Sequence, residues 1–278
     1  MACVERRPEP PKAPITVFAA ASLARPLKTL ADSFHSRSRI VIHSELGGSM
    51  EHVRKITELG RTPDVLMLVD DDVIAALMPA HLDWYVRFAT NRVVVAYTNK
   101  SKHADSITSG NWWQILGRSG VTIGRADPAI APAGKHALSV LRRAEAYYKT
   151  SGLTTRLLAR AALKYVRPNA TELAALLETG EVDYILDYES VAQQYGFTFV
   201  PLPHDLSPTV TYGMSVPRLA NNFRGGVEFA AFVVSDEGKR ILRAANVDVL
   251  NVPVAIGSGV PPEVSAIVRI VSAGTLER

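Results

Sequence analysis

The chain of 278 residues is long enough for two α/β lobes or for one large domain. Apolar residues make up 47% and charged residues 21%, as in soluble globular proteins, and no apolar run reaches the ~20 residues that would span a bilayer. The net charge of +4 is too small and too dispersed for a nucleic-acid-binding surface, but it mildly favours a small anionic ligand. The single cysteine, Cys3, excludes an internal disulfide and a cysteine-based metal cluster.

The N-terminal segment, residues 1–13, is polar and rich in proline and has no apolar periodicity. We predict a flexible or extended tether here. A cysteine followed by such a tether is typical of a mature bacterial lipoprotein, so we expect Cys3 to carry a lipid that holds the protein at the outer face of a membrane. The alternative is an ordinary cytosolic N-terminus in which Cys3 has no role.

Short apolar runs alternate with stretches at helical spacing along the rest of the chain. Strands are predicted at residues 15–20, 39–44, 63–69, 92–97, 121–124, 164–166, 182–186, 197–200 and 209–216. Helices are predicted from residues 22, 49 and 71, and at 135–150, 153–163, 171–179, 226–234 and 236–245. This alternation favours mainly parallel sheets flanked by helices.

We predict two lobes, with the second inserted into the first. Lobe 1 would consist of residues 14–95 and 211–278, and lobe 2 of residues 96–210. The chain would then cross between the lobes twice, and two crossing strands form a hinge that can close around a ligand.

Four predicted turns follow a strand and open a helix with small or hydroxyl-bearing residues. They are residues 20–22, 47–49, 132–134 and 168–171. A helix N-terminus leaves N–H groups unpaired and carries partial positive charge, so each turn suits an oxyanion. Such turns lie at the carboxyl ends of parallel strands, so closure would bring all four onto one anion. The simpler explanation for Ser22, Ser49 and Asn169 is helix N-capping, which prefers the same residue types.

Other chemistry has little support in the sequence. The acidic run at residues 70–72 is more typical of a helix start than of a metal site, and the seven histidines lack zinc-ligand spacing. There is no P-loop, no dinucleotide fingerprint and no nucleophile–base pair that the order of residues supports. We therefore predict that the protein is not an enzyme and needs no cofactor.

Four segments, residues 18–24, 126–134, 180–192 and 212–217, have a recognisable pattern. Residues 18–24 resemble the opening of the periplasmic molybdate-binding proteins, and residues 126–134 resemble their second anion loop. Residues 180–192 and 212–217 are closer to the molybdate/tungstate-binding branch. The resemblance covers roughly residues 15–250, and it implies the two-lobe class II fold of a solute-binding protein that serves an ABC importer.

The resemblance also implies the ligand-binding residues. Ser22 and Ser49 would bind the anion from lobe 1 through their hydroxyls and amides, and the amides of Ala133 and Ala170 would bind it from lobe 2. The hydroxyl of Tyr188 would donate to a tetrahedral anion.

A second binding mode, in which two carboxylates bind the metal atom directly, stays open. Asp187 matches one such ligand and Asp127 is our candidate for the other. Mo(VI) and W(VI) accept extra oxygen ligands whereas sulfur and phosphorus do not, so carboxylates would also repel sulfate. Ala131 stands where that branch often has an acid, which counts against this mode. The alternatives are an Asp-Pro turn at Asp127 and a solvated or hinge-paired acid at Asp187.

The sequence thus predicts a monomeric, extracytoplasmic protein that captures molybdate or tungstate and delivers it to a membrane permease. A phosphate- or sulfate-binding protein is one alternative, since an aspartate that accepts a proton would suit hydrogen phosphate. The other is an effector-sensing domain of the same fold. Molybdate and tungstate are dianions of nearly equal size, so the sequence does not order them.

Overall fold

The computed structural model describes residues 12–271 of the chain. The strands are β1 (Ile15–Ala20), β2 (Ile42–Gly47), β3 (Val65–Val69), β4 (Trp84–Asn91), β5 (Val93–Tyr97), β6 (Ile123–Ala126), β7 (Val166–Arg167), β8 (Tyr184–Tyr188), β9 (Thr198–Pro201), β10 (Val210–Ser215), β11 (Asp248–Gly257) and β12 (Arg269–Val271). The helices are α1 (Ala24–Ser38), α2 (Ser49–Thr57), α3 (Asp71–Ala75), α4 (Trp112–Leu116), α5 (Pro132–Tyr148), α6 (Leu153–Arg160), α7 (Ala170–Thr179), α8 (Glu189–Tyr195), α9 (Phe223–Val234), α10 (Asp236–Ala244) and α11 (Pro262–Ser265). None of these described helices is long and apolar enough to cross a membrane.

The strands form two sheets, one for each lobe. The seven-stranded sheet has the order β12-β11-β4-β10-β3-β1-β2, and the five-stranded sheet has the order β7-β6-β8-β5-β9. β1 pairs in parallel with β2 and β3, and β6 pairs in parallel with β7 and β8. β10 is antiparallel to β3 and β4, and β5 is antiparallel to β8 and β9. The two-lobe α/β architecture is confirmed, but the sheets are mixed, because the strands at the crossings run against their neighbours.

The chain passes between the sheets at two places. β4 ends at Asn91 in the seven-stranded sheet, and β5 begins at Val93 in the five-stranded sheet, so Arg92 links the two. The chain returns with β10, which begins at Val210. Residues 93–95, which the sequence places in lobe 1, therefore belong to the sheet of lobe 2.

The sequence pattern does not reveal β4 or β11, although both lie inside the larger sheet. β4 contains Arg87, Thr90 and Asn91 among its apolar residues, so it has no continuous apolar run, and the predicted strand begins only at Arg92. β11 contains Pro253, and its register against β4 shifts between Val249 and Val254. A proline and a bulge both hide the alternation that marks a strand.

The central strands β3 and β8 position the ligand cleft. Every residue of both strands is buried, because helices cover both faces of each sheet. β3 ends at Val69 and β8 ends at Tyr188, and these two ends meet between the lobes.

Candidate anion-binding site

A small cavity lies between the lobes, at the point where four helix starts meet. Lobe 1 contributes Ala20, Ala21, Ser22, Gly47, Gly48, Ser49 and Val69, and lobe 2 contributes Ala131, Pro132, Ala133, Asn169, Ala170 and Tyr188. About 20 Å³ of it is open to the centre of a water-sized sphere, so the cavity suits a small ligand, and the lobes touch beside it through the amide of Met50 and the carbonyl of Ile130. None of the lining side chains is charged. A ligand there would meet N–H and O–H groups.

The turn after β1 presents Ser22 to the cavity. Its side chain is almost fully buried, and its hydroxyl oxygen accepts a hydrogen bond of 3.0 Å from the hydroxyl of Tyr212. Its carbonyl accepts a 2.9 Å bond from the side chain of Gln194, which belongs to α8 of lobe 2. Both the side chain and the backbone of Ser22 are therefore fixed.

Ser49 is the first residue of α2 and faces the same cavity. The amide of Val69 donates to its hydroxyl oxygen at 3.1 Å, so the hydroxyl proton stays available for a ligand. The preceding Gly48 permits the close approach of lobe 2, since a Cβ there would lie 2.4 Å from the carbonyl oxygen of Ile130. The amide of Met50 donates to that same carbonyl at 3.1 Å, a bond that joins the two lobes.

Two helix starts complete the cavity from lobe 2. Ala133 lies in the first turn of α5, which packs so closely on β6 that a Cβ at Gly134 would lie 2.3 Å from the carbonyl oxygen of Ala126. Ala170 opens α7, where Asn169 accepts a 3.0 Å bond from the amide of Glu172. The first amides of a helix lack intrahelical acceptors, so both turns offer donors to an anion.

The N-capping alternative holds for one of the three residues it was meant to explain. Asn169 is the N-cap of α7 and its side chain makes the capping bond. The N-cap of α2 is Gly48, and Ser49 is already helical. Ser22 lies inside a short 3-10 turn, and no side chain makes a capping hydrogen bond at the start of that turn. The two serine hydroxyls are thus directed to the cavity rather than to capping.

Tyr188 closes the cavity from the end of β8. Its side chain is only 2% exposed, and its hydroxyl has no hydrogen-bond partner within residues 12–271. Burial raises the pKa of this phenol well above its usual range, so the hydroxyl keeps its proton. A buried hydroxyl without a partner costs free energy, and an anion in the cavity would remove that cost.

Asp187 lies beside the cavity but does not line it. The amide of Tyr188 donates to its Oδ1 at 2.7 Å, while Oδ2 is buried and without a partner among the described residues. Complete burial raises the pKa of this carboxyl from 3.8 to about 7. Asp187 lies on β8 beside the crossing strand β5, and only one of its two carboxyl oxygens accepts a hydrogen bond from a described residue.

Asp127 also stands outside the lining. The amide of Ala129 donates to its Oδ1 at 2.9 Å, and its carbonyl accepts from the amides of Ile130 and Ala131 at 3.1 and 2.8 Å. These contacts are those of a turn-forming aspartate. The closed structure thus brings five of the seven predicted ligand residues around one cavity and leaves both carboxylates out of it. Cys3 lies outside the described residues.

The acidic run after β3 has partners within the protein. The carboxylates of Asp70, Asp71 and Asp72 lie within 4.8 Å of one another. Asp70 contacts Nε2 of His136 at 3.2 Å, and Asp71 forms an ion pair with Arg87. The hydrogen bond to His136 lowers the pKa of Asp70, which stays ionised. Since His136 belongs to α5, this contact bridges the lobes.

A larger hollow of about 510 Å³ opens to solvent beside the hinge. Its two charged side chains at the crossing, Arg92 and Glu189, form an ion pair with each other. The smaller cavity between the lobes, with the unpartnered hydroxyl of Tyr188 and no charged side chain in its lining, is therefore the better candidate site.

Sequence reasoning misses the residues that support the site. Tyr212 and Gln194 hold Ser22, and Asn91 in turn contacts Tyr212. Tyr212 falls in a segment with a recognisable resemblance, which could have indicated it. Nothing in the sequence marks Asn91, because its role depends on the sheet crossing and the antiparallel pairing of β4 with β10.

The fold and the site together define a class: a two-lobe binding protein that closes over a small ligand. Residues 15–245 match the family described as bacterial extracellular solute-binding protein, and the chain belongs to that family. This confirms the resemblance found in the sequence, and it confirms that the protein binds a solute and is not an enzyme.

Two relatives match nearly the whole chain. An uncharacterized solute-binding protein of Petrotoga mobilis is 34% identical over 281 residues, which cover 90% of this chain and 88% of the relative. The molybdate/tungstate-binding protein WtpA of Pyrococcus abyssi is 30% identical over 312 residues, which cover 93% and 90%. A solved structure, the Azotobacter vinelandii periplasmic molybdate-binding protein, is similar with a TM-score of 0.69 at 17% identity, covering 84% of this chain and 98% of that one. That structural likeness shows the fold.

Proposed function

We propose that the protein captures a fully deprotonated tetrahedral oxyanion, molybdate or tungstate, between its lobes. The observation that carries this proposal is the buried, unpartnered hydroxyl of Tyr188 in a cavity built from four helix starts. Helix N-termini attract negative charge, and serine and tyrosine hydroxyls add donors that an oxyanion can accept.

The balance of donors and acceptors argues for an anion without a proton. No carboxylate belongs to the lining, so the P–O–H group of hydrogen phosphate would find no strong acceptor there. A buried donor without an acceptor costs about 1–3 kcal/mol, which disfavours phosphate. Molybdate, tungstate and sulfate satisfy the same donors without that cost. Sulfate is thus the remaining alternative, and the similarity to the molybdate/tungstate-binding protein of Pyrococcus abyssi favours molybdate or tungstate.

The cavity favours four-coordinate binding. Tyr188 lines it, whereas Asp187 and Asp127 do not, and an oxygen of each carboxylate already accepts a backbone amide. Six-coordination would require Asp187 to turn its Oδ2 into the cavity. Mo K-edge absorption of the loaded protein distinguishes the two modes: we expect a tetrahedral signature, and an octahedral one would contradict this mode.

Calorimetric titration with molybdate, tungstate, sulfate and phosphate tests the ligand. We expect tight binding of molybdate and tungstate, weaker binding of sulfate and the weakest binding of phosphate. Tight phosphate or sulfate binding with no response to molybdate would overturn the proposal. Replacing Asp187 with alanine adds a control, because unchanged tungstate affinity is expected if this acid does not bind the metal.

We further propose that the protein works outside the cytoplasm as a monomer and delivers its ligand to an ABC permease, with a lipid on Cys3 as its anchor. The family description as extracellular supports the location. No cofactor and no nucleic-acid partner are part of this proposal, and the net charge of +4 fits a small anion. Mass analysis of protein from its native host should show a lipid on Cys3; an unmodified Cys3 would contradict the anchor.

A further inference from the structure

A buried chain of hydrogen bonds runs from the sheet crossing to the cavity. The Nδ2 of Asn91 donates to the hydroxyl of Tyr212 at 2.9 Å, and that hydroxyl donates to Oγ of Ser22 at 3.0 Å. All three side chains are buried, with exposed fractions of 6%, 0% and 5%. Because these groups are buried, their hydrogen bonds have to be made within the protein or to a ligand.

The direction of this chain follows from the contacts of Asn91. Its Oδ1 accepts from the amides of Arg92 at 2.9 Å and Ser190 at 3.4 Å, which identifies the other end as the NH2 group. That NH2 group donates to Oγ of Ser190 at 2.7 Å as well as to Tyr212. The hydroxyl of Tyr212 accepts from Asn91 and also lies beside Ser190, whose Oγ already accepts from Asn91, so the proton of Tyr212 goes to Oγ of Ser22 at 3.0 Å.

The hydroxyl proton of Ser22, at the end of this series of hydrogen bonds, is free for the ligand. Oγ of Ser22 accepts from Tyr212, so the hydroxyl of Ser22 can only use its proton elsewhere, and the cavity is where it is exposed. Burial raises the pKa of Tyr212, so its hydroxyl keeps the proton that it donates to Ser22. Ser49 is oriented in a simpler way, by one backbone amide.

We propose that Asn91 and Tyr212 are positioning residues that make the hydroxyl of Ser22 an obligatory donor to the bound anion. This inference rests on the proposed function, since it specifies how the same cavity selects a ligand oxygen without a proton. Asn91 also contacts Ser190 at the start of α8, so the orientation is set where the chain crosses between the lobes.

A double-mutant cycle with molybdate as the ligand tests this relay, the hydrogen bonds that run from Asn91 through Tyr212 to Ser22. Tyr212→Phe removes the hydroxyl but keeps the ring, which lies 5.9 Å from that of Phe88, and Asn91 keeps Ser190 as an acceptor. We expect about fivefold weaker binding, the size of one neutral hydrogen bond. In a Ser22→Ala background the same substitution should cause no further loss, because Tyr212 acts only through Ser22.

A second variant reverses the relay. Asn91→Asp keeps both acceptor contacts but turns the donor to Tyr212 into an acceptor. Tyr212 then donates to it and accepts from Ser22, whose lone pairs would face the anion. We expect roughly tenfold weaker molybdate binding or more. Adding Tyr212→Phe frees Ser22 to donate again and should recover part of the affinity, whereas a simple charge effect would not be relieved.

Tyr184→Phe is the matched control. Tyr184 is a buried tyrosine of the five-stranded sheet whose hydroxyl donates to the carbonyl of Lys102, away from the cavity. The affinity of the Tyr184→Phe variant for molybdate should equal that of the wild type. Additive losses in the cycle, or no recovery in the Asn91→Asp/Tyr212→Phe variant, would overturn the relay alone. Failure of the wild type to bind any of the four oxyanions would overturn the proposed function and the relay with it.

Discussion

The two walls of the cavity obtain their donors in different ways. In lobe 1, the hydroxyls of Ser22 and Ser49 each accept a hydrogen bond from the protein, so their protons are oriented before a ligand arrives. In lobe 2, Ala133 and Ala170 offer only backbone amides, and the hydroxyl of Tyr188 has no partner among the described residues. The donors of lobe 1 are therefore preorganised, whereas lobe 2 has buried donors without partners. A ligand would lower the free energy of lobe 2 by accepting from them.

This difference assigns separate tasks to the two walls. A preorganised wall loses little entropy on binding and so favours the first encounter with the anion. The wall of lobe 2 gains the most free energy when the lobes close on the anion, because its buried donors then find an acceptor. Substitutions in lobe 1 should therefore affect stability and affinity together, and those at the end of β8 should separate them.

The largest expected effect concerns the buried acid of lobe 2. The folded-state pKa of Asp187, about 7, lies above the usual 3.8, so the folded protein holds this proton more tightly than the unfolded chain. Its contribution to stability is complete below pH 3.8 and is lost as the pH rises to 7. The loss is on the order of 4 kcal/mol. Asp187→Asn should flatten this dependence.

Urea unfolding of the two ligand-free proteins between about pH 4 and pH 8 checks this prediction, since the free energy of unfolding is measured directly. The difference between wild type and variant is the readout, because all other acids are common to both. Parallel pH curves would show that Asp187 ionises normally in the folded protein.

The second prediction concerns the contact between the walls. Gly48 has an ordinary φ of −73°, so Gly48→Ala should leave the ligand-free lobe unstrained. In the closed form its Cβ would meet the carbonyl oxygen of Ile130 at 2.4 Å, and backbone cannot yield as a side chain does. We expect molybdate affinity to fall roughly 10- to 100-fold. Gly110→Ala, whose Cβ would meet only Oγ1 of Thr108 at 3.8 Å, is the control.

Sequence reasoning succeeds where chemistry is local and fails where it depends on pairing. The small residues around Ser22, Ser49, Ala133 and Ala170 indicate helix starts, because backbone geometry restricts which residues fit there. The exclusion of Asp127 and Asp187 from the cavity depends on turn contacts and side-chain direction, which spacing does not reveal. In the same way β11 escapes prediction, because its bulge and its proline disturb the alternation of the strand.

The third prediction separates the two kinds of wall. Ser49→Ala removes a donor to the ligand and also the acceptor of the Val69 amide, so thermal stability and affinity should both fall. Leaving that amide unpaired costs about 1–3 kcal/mol. Tyr188→Phe removes a hydroxyl that no described residue contacts, so affinity should fall by about fivefold while ligand-free stability is unchanged or slightly higher. Equal losses of stability in both variants would contradict the division between the walls.

The smallest expected effect comes from the contact of Asp70 with His136, which bridges the walls at 3.2 Å. His136→Phe keeps a ring near Tyr188, whose centroid lies 6.5 Å away, but removes the donor. Asp70 is buried, but the side chain of His136 is partly exposed, so solvent weakens the interaction from that side and the closed form should lose about two- to fivefold in affinity. Because closure traps the ligand, the change should appear as faster molybdate release in stopped-flow measurements. His43→Phe, at an exposed position, is the control, and an unchanged release rate in His136→Phe would show that the contact of Asp70 with His136 does not hold the two walls together.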